Sequence, residues 1–219
     1  MSEEISKKAV HKFSSQKHVF QRFLNGVVDC FMLEPALNEY GKPIIHSVKQ
    51  RIKDENHLQE KLSRKHNPED PITEDNIFEK ITDLAGVRVL HLYQDQLPAI
   101  HHFIMERVSS GDWALHEAPV AYSWDPESQK FFESLKLDVK IKESYYTSIH
   151  YVVMPANDTR IKCEIQVRTL FEEVWGEIDH TINYPKKTES VATREQLRVL
   201  SKLVSTGTRL ADSIFRLHQ

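Results

Sequence analysis

From Ile161 to Arg168 the chain alternates strictly, with Ile161, Cys163, Ile165 and Val167 on one side and Lys162, Glu164, Gln166 and Arg168 on the other. That period of two predicts a strand with one buried face. A second alternating run, Tyr145 to Val153, carries Tyr146, Ser148 and His150 on one side. The turn-forming cluster Pro155-Ala156-Asn157-Asp158-Thr159 between the runs predicts an antiparallel pair. If the two polar rows share a face, Tyr146, His150, Glu164, Gln166 and Arg168 form one wall. Thr169 followed by Glu172 then has the spacing of a capping box. It opens a helix whose apolar stripe, Leu170, Phe171, Val174, Trp175 and Ile178, is expected to face the core. The wall therefore ends at a helix N-terminus, a place that favours anions.

Elsewhere the pattern predicts a helix over residues 15–40, broken at Gly41-Lys42-Pro43, and a strand from Ile44 to Lys53. Asp54 is the expected N-cap of a helix reaching about Lys65, with Leu58 and Leu62 inward. Ile81 to Leu90 reads as a turn into a buried strand. Residues 94–108 read as a helix, Trp113 to Tyr122 as a strand, Asp125-Pro126 as a helix start and Leu137 to Ile141 as a strand. An amphipathic helix over 190–217, with Leu197, Leu200, Leu203, Val204 and Leu210 as its apolar positions, closes the chain. The division is a helical segment 1–42, a core 43–185 and a terminal helix 186–219.

At 219 residues, 40% hydrophobic and 28% charged, the chain has the makings of a globular domain with a real core. A net charge of −3 gives no general pull on nucleic acid, so an anion site has to be made locally. Such a site is visible: Arg51, Lys53, Lys61, Arg64 and Lys65 place five cations in fifteen residues. They read either as a solvated basic face or as a polyphosphate clamp. Asp83, just before a strand, reads as a cap or a hard-metal ligand, since Mg²⁺ takes one or two carboxylates plus phosphates and water. Cys30 and Cys163 support neither a disulfide framework nor a zinc site. Glu177 and His180 have the spacing of half a carboxylate-bridged metal site, without a second copy, and are expected to be structural or to support the residues that touch a ligand. His101-His102 is expected at the surface. With no spanning segment and no signal-peptide pattern, a cytoplasmic location is expected.

Several segments together resemble the synthetase domain of RelA/SpoT alarmone synthetases. They are Ile81-Thr82-Asp83-Leu84-Ala85-Gly86-Val87-Arg88, the Tyr146-x-Ser148-x-His150 strand, and Glu164-Ile165-Gln166-Val167-Arg168-Thr169 followed by Trp175. Arg51-Ile52-Lys53 and Lys61-Leu62-Ser63-Arg64-Lys65 resemble that family's ATP-binding segment. The resemblance implies an α/β (α+β) fold, a mixed sheet flanked by helices and similar to nucleotidyltransferases. It also implies transfer of pyrophosphate from ATP to the 3′-hydroxyl of GDP or GTP with Mg²⁺. On that reading Arg51 and Arg88 sandwich the adenine, and Lys53, Lys61, Arg64 and Lys65 hold the ATP phosphates. Asp83 and Glu164 bind the metal, Glu164 acts on the 3′-hydroxyl, and Tyr146 stacks on the acceptor base. His150, Gln166 and Arg168 complete the wall, and Lys142 reaches acceptor phosphates. One departure stands out: the family's Gly-Tyr-Arg-Ser acceptor loop is Tyr145-Tyr146-Thr147-Ser148 here. It leaves open a toxin-type acceptor, tRNA or an adenosine nucleotide, with an antitoxin as partner, and also a non-catalytic binding module. Homo-oligomers are a further expectation. No His-Asp dipeptide occurs, so the family's hydrolase domain is not expected within this chain.

Overall fold

The protein is described by a computed structural model covering residues 2–39, 41–184 and 186–218. Tyr40, inside the expected first helix, and Pro185, at the expected core boundary, lie outside the described residues. Helix α1 (Ser2–Leu33) is longer than expected at its start and ends seven residues earlier, before a short 3₁₀ turn, Pro35–Leu37. Its Phe13, Phe20, Leu24, Val27 and Phe31 are fully buried at three-, four- and seven-residue spacings, one stripe of a helix.

Strand β1 (Ser47–Ile52) leads to α2 (Glu55–Arg64), whose N-cap Asp54 accepts hydrogen bonds from the backbone of Asn56 and His57. The short helix α3 (Ile77–Lys80) precedes β2 (Ala85–His91), and α4 (Leu97–Ser109) follows it. The stretch expected as a single strand from Trp113 is two, β3 (Trp113–Leu115) and β4 (Val120–Tyr122). Asp125 caps α5 (Pro126–Ser134), which is followed by β5 (Asp138–Lys140). Strands β6 (Ser148–Pro155) and β7 (Cys163–Thr169) then lead into α6 (Leu170–Asn183) and α7 (Val191–His218).

The seven strands form one mixed sheet in the order β1-β2-β7-β6-β4-β5, with β3 pairing along β6. β2 runs parallel to β7, whereas β1–β2 and β6–β7 are antiparallel. Val87, Val89, Ile165 and Val167 join α1 and α4 in the core on one face. Helix α6 covers the other face, with its Glu173 reaching the cations of β1 and β2.

Two helices depart from expectation. On α6 the buried residues are Glu173 and Trp175, whereas Phe171, Val174 and Ile178 are 42%, 55% and 38% exposed. On α7 Leu197, Ser201, Thr208 and Asp212 are buried, and Leu203 and Leu210 face outward. Ion pairs and the Trp175 indole, which donates to the Leu197 carbonyl at 3.0 Å, decide which face of these helices turns inward. Among the described residues no helix is long and apolar enough to cross a membrane.

Candidate active site

Sheet register builds the site from four strands. Arg51 of β1 lies opposite Gly86 of β2, Gly86 opposite Glu164 of β7, and Glu164 opposite Val152 of β6. One step along, Lys49, Arg88, Gln166 and His150 form a second row in the same strands. Because side chains two residues apart share a sheet face, both rows look the same way. The polar rows of β6 and β7 therefore do share a face, as expected. They enclose, with Gln50 and Val87, a pocket of about 190 Å³ lined by Lys49, Arg51, Gly86, Arg88, Glu164 and Gln166. Gly86 leaves its floor open: a Cβ there would meet the Glu164 carbonyl at 3.7 Å and the Arg51 stem at 3.8 Å.

At one end of the rows lies Asp83. Lys53 Nζ is 2.9 Å from its Oδ2 and Lys61 Nζ 2.6 Å from its Oδ1, and all three side chains are largely buried. Burial alone would raise the Asp83 pKa, but the charges and hydrogen bonds of Lys61 and Lys53 outweigh it and bring it down to about 2. Arg64 and Lys65, at the end of α2, are exposed; the Arg64 guanidinium lies 5.8 Å over the Tyr184 ring.

At the other end, the Tyr146 hydroxyl is 3.0 Å from His150 Nε2, and His150 Nδ1 is 3.2 Å from Glu164 Oε1. Gln166 Nε2 donates to Glu164 Oε2 at 2.7 Å. A carboxylate only accepts, so His150 gives its Nδ1–H to Glu164. Burial pushes the Glu164 pKa up, but the hydrogen bonds and charge of His150, with help from Gln166, prevail and lower it, while the negative charge of Asp83 acts upward. Glu164 is thus ionised at neutral pH. Lys142 Nζ sits 4.4 Å over the Tyr122 ring, beside this cluster.

Arg168, expected in the wall, is buried instead. Its guanidinium pairs with Glu173 and lies 5.8 Å over the Tyr146 ring. Gly176 makes the room, since a Cβ at that position would stand 2.6 Å from Arg168 Nη1. Lys162 is also away from the wall: it precedes β7 and donates to the Phe78 carbonyl at 2.7 Å.

Sequence reasoning missed Lys49 and Glu173. Glu173 Oε1 accepts from Lys49 at 2.8 Å and from Arg88 at 3.2 Å, and Arg88 also pairs with Glu177. One buried carboxylate therefore ties together cations from β1, β2 and β7. Lys49 was legible as the residue two before Arg51; nothing in the sequence marks Glu173. Glu177 pairs with Arg88, and the His180 ring is stacked on Tyr184 at 4.7 Å. His101 is partly buried and bonds the Tyr151 hydroxyl at 2.9 Å.

Two local features carry strain or charge. Tyr145, where the resembling loops have glycine, adopts φ 62°, a left-handed conformation that costs a bulky residue about 1–2 kcal/mol. Its ring is held by Trp124 at 5.4 Å and by Arg198 of α7 at 5.6 Å. Glu172 completes the capping box on Thr169, and burial pushes its pKa up to about 7 against the pull of those hydrogen bonds. A raised carboxyl contributes fully below its unfolded pKa and loses that contribution as pH rises through about 7. Glutamine keeps the box without the charge. Glu172→Gln should therefore raise stability by about 1–2 kcal/mol at pH 8.5, discounted for partial exposure, and do little at pH 5. Thermal unfolding at the two pH values checks this.

A row of cations and carboxylates across one face of a mixed sheet marks this α/β domain, and its fold can be set beside those of known proteins. Residues 50–189 match the region found in RelA/SpoT proteins, and the chain belongs to that family. It is similar to the small alarmone synthetase 1 of Bacillus subtilis, at 20% identity and TM-score 0.70 over 95% of this chain and 98% of that one. The same enzyme bound to its product pppGpp aligns at TM-score 0.68, 20% identity, 94% and 97% coverage. A GTP pyrophosphokinase family protein from Streptococcus pneumoniae aligns at TM-score 0.66, 18% identity, 89% and 88% coverage. No curated protein matches the sequence.

Among the described residues no group of three or more His, Cys, Asp or Glu side chains could hold a metal. The donors still fit Mg²⁺, which needs only one or two carboxylates beside phosphates and water. Asp83 and Glu164 are such a pair, close enough that the charge of one raises the pKa of the other.

Proposed function

We propose that this chain transfers pyrophosphate from ATP to the 3′-hydroxyl of GDP or GTP. The observation that carries the reading is the continuous row from Lys53, Lys61 and Asp83 through the Arg51–Arg88 pocket to Glu164, His150 and Tyr146. Arg51 and Arg88 flank the adenine in that pocket. Lys53 and Lys61, with Arg64 and Lys65 at the rim, take the phosphates. Asp83 and Glu164 would hold Mg²⁺, which would supply charge neutralisation at the phosphates. Transfer of this kind depends mainly on positioning and charge neutralisation. Glu164, ionised and oriented by His150 and Gln166, accepts a hydrogen bond from the 3′-hydroxyl and draws its proton in the transition state. Arg168 acts from behind, supporting the Tyr146 ring on which the acceptor base stacks, and Lys142 meets the acceptor phosphates.

Tyr146→Ala should weaken acceptor binding about tenfold or more, the scale of one lost base–aromatic stack, with a smaller effect on ATP. Calorimetry with each nucleotide separates the two; equal losses contradict the stacking role.

A second reading, a tRNA 3′ end or adenosine nucleotide as acceptor, rests on Thr147. It stands where the family's loop carries arginine, is buried, and pairs with Ser123 at 3.3 Å, so the loop offers no cation to a nucleotide's phosphates. On that reading an antitoxin restrains the enzyme. Labelled ATP offered with GDP, GTP, ATP or tRNA separates the readings, and label on tRNA alone selects the second. A catalytically dead binding module would label none of them.

A further inference from the structure

Each oxygen of Asp83 already has a cation. Oδ2 faces Lys53 and Oδ1 faces Lys61, at 2.9 and 2.6 Å, with side-chain exposures of 13% for Asp83, 11% for Lys53 and 19% for Lys61. The lone pairs that a hard metal needs are directed at ammonium groups. A divalent ion arriving here meets two positive charges in a largely buried place, where salt and water screen little. The same ammonium groups match phosphate oxygens, which can take over as their counter-charge and release the carboxylate still ionised.

Resting on the ATP-site reading above, we propose that Lys53 and Lys61 form a latch on Asp83: they exclude divalent metal from it until a polyphosphate draws them away. Metal then enters with the nucleotide and not before it. By linkage, metal strengthens nucleotide binding by the factor by which nucleotide strengthens metal binding. The lysines are positioning residues for the carboxylate as well as phosphate ligands.

The test uses Mn²⁺ as a paramagnetic probe of the full chain, with no nucleotide present. Lys53→Met with Lys61→Met keeps the stems and removes both charges. The double variant should bind Mn²⁺ roughly tenfold or more tightly than wild type, the usual scale of such coupling, with Lys61→Met alone in between. Adding Asp83→Asn should abolish the gain. If the double variant does not fold, the single one carries the comparison, and melting curves report which applies. Wild type binding Mn²⁺ as tightly as the variants overturns the latch, as does a gain that survives Asp83→Asn. Calorimetry of wild type with a non-hydrolysable ATP analogue runs alongside. Absent nucleotide binding overturns the site reading itself, whereas intact nucleotide binding without a Mn²⁺ gain overturns the latch alone.

Discussion

Glu164→Gln should lower turnover by about 10²–10⁴-fold, the usual worth of a positioned general base, while ATP affinity changes little. The substitution keeps shape and leaves an oxygen to accept from His150 or Gln166, whose bonds to Glu164 are 3.2 and 2.7 Å. What it removes is the negative charge. The change should therefore fall on kcat and kcat/KM together, the signature of an interaction made in the transition state. Stability should fall slightly, because the bonds from His150 and Gln166 favour the charged form more than burial disfavours it, and the variant lacks that charge. Intact turnover would remove Glu164 from the mechanism, and a matching loss of ATP binding would make it a structural part of the pocket.

Asp83→Asn should be the most destabilising polar change in the site, by about 2–4 kcal/mol, because it strands two largely buried lysines. Burial already lowers the Lys53 pKa, with Asp83 the main force opposing it. The loss has a pH signature. The Asp83 pKa is about 2 in the fold against an ordinary value of about 3.9. A depressed carboxyl contributes fully above its unfolded pKa and loses that contribution as pH falls through the folded one. The gap between wild type and variant should therefore hold from pH 7 to about 4 and narrow toward pH 2 by about 2 kcal/mol. His91, whose burial lowers its pKa to about 4, costs stability between about pH 6.5 and 4. That loss affects both proteins alike and cancels in the comparison. Urea unfolding across the range measures the gap; a gap that is constant to pH 2.5 contradicts the pairing.

Much of this was readable in the sequence because it is local. The alternation through Glu164 and Gln166, the Asp54 and Asp125 caps and the Thr169–Glu172 box each depend on a few adjacent residues, and each is present. Periodicity also placed Glu164 and Gln166 on one face of their strand, and the register of β6 on β7 brings His150 to the same face. Periodicity could not say which face of a helix meets the protein. On α6 five apolar residues were expected inward, yet three of them are exposed and Glu173 holds that side through Lys49, Arg88 and Arg168. Arg168 obeys the strand's alternation and lies against Tyr146, yet it is buried, since Gly176 opens a slot for it on α6, eight residues further on. Packing of α6 against the sheet decides both outcomes, and periodicity carries no mark of it.

The most direct measurement is transfer of label from β-labelled ATP, with Mg²⁺, to GDP, GTP, ATP and tRNA offered separately. The proposed function predicts label on GDP or GTP, lost in Glu164→Gln. Label on tRNA or adenosine nucleotides alone, or on no acceptor at all, would contradict it.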